Sequence, residues 1–416
     1  MKSKIELANK VPMDNLVGSK TGNNYQLTTY MYGCLDPRSN ALLSNVSVTG
    51  NSLSIDIWTG CSLQCAYCHV QGVREDLDPT DWKMRKKPIR RTSHTIDQIL
   101  SELVESPFFE KDKTVLSICT SSTEPFVGDE VIESTMSIME WFTKKNMKNP
   151  FWIVTKAGVP SKIIERLKNV TKTNKIIISI CWANNNSTIE PYIKNRFENI
   201  EKFRDTSGIY FTWYLRPLVR EWSDDFAHLE NMFKLVSQKH RKDIHSIVAG
   251  GLRWTEGIEY GLSEVRNLKL PDNVSSASRH TKTLTEDEFA LIKQLSEKYF
   301  GKDMLVYLHS SCMLSEILRV NNMAMTNWFR PIACSESVCT FKQREKCCIN
   351  MNKLNLNVLN RMFEDKGIDI KIKEIGEKDG VNKLVTVPEL KTFAPAVSQK
   401  VVTMIASYFD TINEFI

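Results

Sequence analysis

No stretch of this 416-residue chain approaches the roughly 20 consecutive apolar residues that a membrane-spanning helix needs. Its start, Met1-Lys2-Ser3-Lys4-Ile5-Glu6-Leu7, lacks the apolar core of a secretion signal. There is no internal repeat or low-complexity tract, and charge of one sign is scarce: the net excess is only +6. These absences leave a cytoplasmic protein without a membrane partner as the expectation. Hydrophobic and charged fractions of 42% and 25% are those of a globular chain that buries a core. Eleven cysteines without an export signal then point to metal binding or catalysis and not to disulfides.

Three of those cysteines stand close together in Thr59-Gly60-Cys61-Ser62-Leu63-Gln64-Cys65-Ala66-Tyr67-Cys68-His69, directly after the strand-like run Leu53 to Trp58. A [4Fe-4S] cube normally takes four thiolates. A compact triplet leaves one iron open, and an open metal position marks a catalytic site. A zinc knuckle or incidental cysteines are the plainer alternatives, although zinc would want two close pairs of ligands.

The spacing and its context resemble the radical S-adenosylmethionine (radical SAM) family. That resemblance implies Cys61, Cys65 and Cys68 as cluster ligands and Tyr67 packed beside the cofactor. It further implies reductive cleavage of SAM to a 5'-deoxyadenosyl radical that takes hydrogen from a substrate. A flavodoxin- or ferredoxin-like protein would be the reducing partner.

Beyond the triplet, strand-like and helix-like segments alternate, which is the pattern of parallel α/β units. Strands are predicted at Val115–Thr120, Phe151–Lys156, Lys175–Trp182, Ile209–Leu215 and Ile244–Ala249. Helices are predicted at Thr95–Ser106, opened by the capping box Thr95-x-x-Gln98, and at Asp129–Lys145, Ser161–Val170, Ile189–Arg204 and Phe226–Ser237. Counted from Leu53, six strands suit a partial (β/α)6 TIM-like barrel, with active residues where strands end. A helix at Glu286–Tyr299, an apolar run Met304–Leu308, and a small α+β tail with strands Ile368–Ile375 and Leu384–Val387 and a last helix near Val397–Tyr408 complete the reading. The expected division is an N-terminal extension over 1–50, the barrel over 51–255, a connecting cysteine-rich region over 256–350, and the tail over 351–416.

The second strand ends in Cys119-Thr120-Ser121-Ser122-Thr123-Glu124-Pro125, where hydroxyls and one acid could hold an ammonium group. The Gly-Gly-Glu that radical SAM enzymes often use there is missing. Within that family the chain is similar to the spore photoproduct lyase-like subgroup through Cys119-Thr120-Ser121, Thr155-Lys156, Ser179-Ile180, Glu190-Pro191 and Arg196-Phe197. This resemblance spans roughly residues 53 to 220. It implies that Ser121 and Lys156 contact the methionine end of SAM, that Ser179 contacts its ribose or carboxylate, and that Ser122, Glu124 and Arg196 line the same place. It makes Cys119 the donor that returns hydrogen to the product radical. Taken from the residues alone, Lys156 is equally a solvated strand-end lysine, Ser179 a core serine, Glu190 with Arg196 a surface pair, and Cys119 a small buried hydrophobe.

A second cysteine group, Cys312, Cys334, Cys339 and Cys347 with Cys348 as a substitute for the last, has the makings of a closed four-thiolate site. It is expected to hold an auxiliary [4Fe-4S] cluster, or zinc. His309 reads as a packed histidine. The added cluster departs from the lyase-like subgroup and turns the expectation toward a polar small-molecule substrate, sugar or nucleoside-like. DNA-lesion repair, peptide modification, and a non-enzymatic zinc or iron-sulfur nucleic-acid binder are the competing readings. The basic run Lys83 to Arg91 would meet nucleic-acid phosphates, an acidic electron donor, or only solvent.

Overall fold

The computed structural model describes residues 19–21, 24–26, 46–48, 52–63, 65–68, 88–90, 92–105, 109–120, 122–183, 189–190, 193, 196–219, 226–252, 258, 262–263, 267, 284–320, 357, 360–361, 364, 371–378 and 381–387. Strands β1 (Ser19–Thr21) and β2 (Asn24–Gln26) form a small antiparallel pair. β3 (Val46–Val48) runs antiparallel to β4 (Leu53–Ile55), and β5 (Trp58–Thr59) pairs with β6 (Ile89–Arg90). There follow α1 (Ile96–Val104), β7 (Leu116–Ile118), α2 (Asp129–Lys144), β8 (Phe151–Thr155), α3 (Ile164–Val170) and β9 (Ile176–Cys181). Next come β10 (Ile209–Leu218), α4 (Phe226–His240), β11 (Ile244–Gly251), α5 (Glu286–Phe300), β12 (Leu305–Tyr307) and α6 (Ser310–Leu318). A hairpin, β13 (Lys371–Lys378) with β14 (Val381–Val387), matches the two strands expected in the tail.

The main sheet has the order β12-β11-β10-β9-β8-β7-β4-β3 and is parallel except at β3. It is an α/β fold of the expected kind with one addition. The apolar run at Met304 adds a seventh parallel strand, β12, since a crossover through α5 returns the chain beside β11. The strand order ends in two edges, β12 and β3, so the described residues form an open sheet.

Alternation along the strands sorts their side chains. Phe151 meets Phe142 of α2 at 5.7 Å, and Trp213 meets Phe233 of α4 at 4.7 Å, so that parity faces the helices. The opposite parity carries Ser54, Ser117, Trp152, Ser179, Thr212, Tyr214 and Ser246, paired strand to strand. This second face is a hydroxyl-rich floor in a sheet whose other face is Ile, Leu, Phe and Trp. Helix α1 begins with the predicted capping box, in which the Thr95 side chain accepts from Gln98 N and Gln98 Oε1 accepts from Thr95 N.

The predicted helix over Ile189–Arg204 is a further correction. Among its described residues only a 3-10 turn, Ile200–Phe203, is helical. Asn199 takes a left-handed φ of 72° that stops an α-helix from running through. The last predicted helix, near Val397, lies outside the described residues.

Cys65, Ala66 and Tyr67, which follow β5, share one apolar cluster with Val219 after β10 and Leu252 after β11. In a flat sheet β4 and β11 would stand five strand spacings apart, about 24 Å. Their following segments meet, so the sheet is rolled and the cysteine segment lies over the carboxyl ends of its strands. No helix among the described residues is long and apolar enough to cross a membrane.

Candidate active site

The cysteine segment is a tight turn. Gly60 takes a φ of 83° before Cys61, Leu63 N donates to Cys61 Sγ at 3.4 Å, and Cys68 N donates to Cys65 O at 3.1 Å. Ala66 N donates to Ile189 O at 2.8 Å, which pins the turn to the segment after β9. Cys65 is buried, Cys61 and Cys68 are half-buried, and none is in a disulfide. Burial, then the nearby Cys68 and Glu124, push the Cys61 thiol up to about 12. Burial likewise raises Cys65, with Lys156 pulling the other way. The desolvated Cys61 and Cys65 are costly as anions by themselves, and a cationic cluster would make thiolates affordable there. Among the described residues no three Cys, His, Asp or Glu side chains converge on a single ion.

Tyr67 ties this segment to β8. Its hydroxyl donates to Glu190 Oε2, and Lys156 Nζ donates to Tyr67 OH at 2.6 Å and to Glu190 Oε2 at 3.2 Å. The ammonium also sits 5.0 Å from the Tyr67 ring centroid. Arg196 Nη1 closes the network on Glu190 Oε1 and on Cys181 O, the latter at 2.8 Å. Glu190 and Arg196 are thus a buried pair, with side chains 0% and 4% exposed, and the expected surface pair is corrected. The carboxylate is drawn inward because two cations and a phenol converge on it from three elements. Burial pushes Glu190 up to about 7 against the pull of Arg196. Gly158 permits this approach: its φ is 75°, and a Cβ there would lie 2.3 Å from Arg196 O.

At the end of β7, Cys119 takes a left-handed φ of 60° and turns the chain. Its thiol is buried, and burial, reinforced by Asp56 and Glu124, holds it protonated. Ser122 Oγ donates to Asp56 Oδ1 at 2.8 Å. Glu124 accepts from Thr155 Oγ1 and, at 3.0 Å, from Lys156 N; burial raises its carboxyl against those bonds. Between them the hydroxyls of Thr120 and Thr123 are buried without a hydrogen-bond partner. Unpaired buried hydroxyls at a strand end are places for a ligand's polar atoms.

The structure brings Cys61, Cys65, Cys68, Tyr67, Glu124, Lys156 and Arg196 to the carboxyl ends of adjacent strands. Ser179 lies deeper, fully buried, accepting from Trp152 Nε1 at 2.9 Å and 2.8 Å from Thr212 Oγ1. Cys312 is buried in the first turn of α6, with its N–H donating to His309 O at 3.1 Å. Ser121, Cys334, Cys339, Cys347 and Cys348 lie outside the described residues, as does most of the basic run. Sequence reasoning missed Asp56, Thr155, Cys181 and Arg216. Arg216 had a signal: it continues the alternation Thr212, Tyr214 on the face opposite Trp213, an unusual place for a cation in a buried strand.

Solved structures similar to this chain include spore photoproduct lyase complexed with dinucleoside spore photoproduct, at 13% identity and a TM-score of 0.47. A double mutant of that lyase with bound AdoMet and dinucleoside spore photoproduct gives 14% and 0.47, and a tyrosine-to-phenylalanine mutant gives 12% and 0.48. Each alignment covers 65% of this chain and 79% of the other. No protein-family model matches the sequence, and no curated protein matches it.

Proposed function

We propose that this chain is a radical SAM enzyme acting on a polar small molecule. The carrying observation is the set of three cysteines on one pinned turn over the carboxyl ends of a parallel sheet, with the thiols of Cys61 and Cys65 desolvated. Cys61, Cys65 and Cys68 would hold a [4Fe-4S] cluster. Bound there with SAM and reduced by a flavodoxin- or ferredoxin-like donor, the cluster supplies reductive carbon-sulfur cleavage and hydrogen abstraction. The chain's own residues set the stage. Lys156 presents its ammonium beside Tyr67 to a carboxylate, while Glu124 and the unpaired hydroxyls of Thr120 and Thr123 offer acceptors to an ammonium group. Ser122 holds Asp56, and the cluster of Tyr67 with Val219 and Leu252 keeps water from the turn. The added cysteine group, which the lyase-like subgroup lacks, turns the reading toward a polar substrate such as a sugar or nucleoside.

Anaerobic reconstitution followed by dithionite and SAM should release 5'-deoxyadenosine. Loss of that product in the Cys61, Cys65, Cys68 triple alanine variant supports the assignment; wild-type protein that binds iron and never cleaves SAM refutes it.

One observation favours a second reading, a DNA-lesion lyase: Cys119 is a neutral thiol at the mouth, fit to donate a hydrogen atom. Salt-sensitive binding to damaged duplex would support it. The closed site on Cys312, Cys334, Cys339 and Cys347 remains part of the proposal as an auxiliary cluster.

A further inference from the structure

Arg216 continues the inner face of β10 beyond Thr212 and Tyr214, at the end of the sheet that the cysteine turn covers. Its Nη1 donates to Tyr214 OH at 2.9 Å, and the guanidinium lies 5.1 Å from the centroid of that ring. Gly250 of β11 makes the seat. A Cβ there would fall 2.7 Å from Arg216 Nε and 3.1 Å from Cζ, so any larger residue displaces the group. The phenol and the bare backbone fix the guanidinium plane, yet neither neutralises it. Each other cation of the mouth has an acid: Lys156 and Arg196 both pair with Glu190. Among the described residues Arg216 has no carboxylate in ion-pair reach and no acceptor beyond Tyr214. A half-buried, orientated guanidinium with open donors is built to take two oxygens at once, the geometry of phosphate and carboxylate.

We propose that Arg216 is an anion-recognition residue of the active-site mouth, receiving a phosphate or carboxylate group of the bound substrate through the guanidinium donors that Tyr214 leaves open. The substrate is thereby an anionic polar molecule, such as a sugar phosphate, a nucleotide or a sugar acid. This rests on the reading above for the mouth being the active site. The carboxylate of SAM is the other source of the same chemistry.

The test measures binding of inorganic phosphate and of SAM, separately, by anaerobic calorimetry on the reconstituted full chain. Wild type is compared with Arg216→Gln, Arg216→Lys and Gly250→Ala. The glycine has no positive φ, so its alanine variant should fold, keep the charge and only displace the guanidinium. Circular dichroism melts confirm folding, and Gly250→Ala carries the test if Arg216→Gln does not fold. Phosphate affinity is expected to fall about tenfold in Arg216→Gln, as for loss of one charge-assisted contact. It should fall severalfold in Gly250→Ala and less in Arg216→Lys, with SAM affinity unchanged. A tenfold loss of SAM affinity with phosphate unaffected keeps anion recognition and assigns the anion to the cofactor. Both affinities within twofold of wild type in Arg216→Gln and Gly250→Ala overturn the proposal. Phosphate binding that depends on Arg216 in a protein unable to cleave SAM would instead fault the enzyme assignment alone.

Discussion

Glu190 is the residue on which the mouth turns. It takes bonds from Tyr67, Lys156 and Arg196, joining the cysteine segment, β8 and the stretch after β9. Removing one member of a buried ion pair leaves its partner's charge uncompensated, at a cost of about 3–5 kcal/mol. Glu190→Ala should therefore lower the unfolding free energy of the apoprotein by about that much in urea, and Glu190→Gln by less. A loss under about 1 kcal/mol in the alanine variant would mean that solvent reaches the cations after all. Asp243 gives the acid limb of stability. Burial raises its carboxyl, but bonds from Arg204, at 2.5 and 2.9 Å, and from His240 at 3.2 Å outweigh burial and hold it below the ordinary 3.8. With the folded value below the unfolded one, its stabilisation is present above pH 3.8 and is lost as pH falls through the folded value. Asp243→Asn should flatten that part of the stability–pH curve, measured by denaturation between about pH 2 and 5.

At the level of elements, Gly158 decides how close the segment after β9 can come to β8. Its positive φ alone costs an alanine about 1–2 kcal/mol. Its missing Cβ stands 2.3 Å from a backbone oxygen, which cannot swing away as a side chain would. Gly158→Ala should lose about 2–4 kcal/mol in urea titration, adding an overpacking cost to the conformational one. A neutral Gly158→Ala would show that the Arg196 segment is free to retreat. The same elements show what was legible in the chain. β7 to β11 and α1 to α4 announced themselves because strands of Ile, Val and Phe alternate with helices of 3.6-residue periodicity, and Thr95-x-x-Gln98 marked a helix start by chemistry local to it. The segment from Ile189 misled because its apolar spacing is helical while a left-handed Asn199 interrupts the helix. β12 was hard to read because three residues carry no period; only pairing with β11 makes Leu305–Tyr307 a strand. At the site, the cysteine triplet was plain as spacing. That Glu190 and Arg196 are buried together was not, since burial comes from long-range convergence of Tyr67, Lys156 and Cys181.

On the scale of the whole molecule, the triplet and Cys312 follow different strands of one sheet. The triplet follows β4 and β5, while Cys312 follows β12. Sites that share no ligand should lose metal independently. Reconstituted protein should then carry about eight irons per chain, four for each cluster. The Cys61, Cys65, Cys68 triple alanine variant should fall to about four and lose SAM cleavage. Cys312→Ala should also fall to about four irons, yet keep measurable 5'-deoxyadenosine release, because Cys312 is not one of the triplet that would hold the SAM-binding cluster. About four irons with one zinc in the wild type, and zinc alone lost in Cys312→Ala, would make the second site structural zinc. If Cys312→Ala keeps all metal, the second group is not ligated through α6. The far edge of the sheet would then be held by its pairing with β11 and by packing of Met313, Leu314 and Ile317, all buried in the main core.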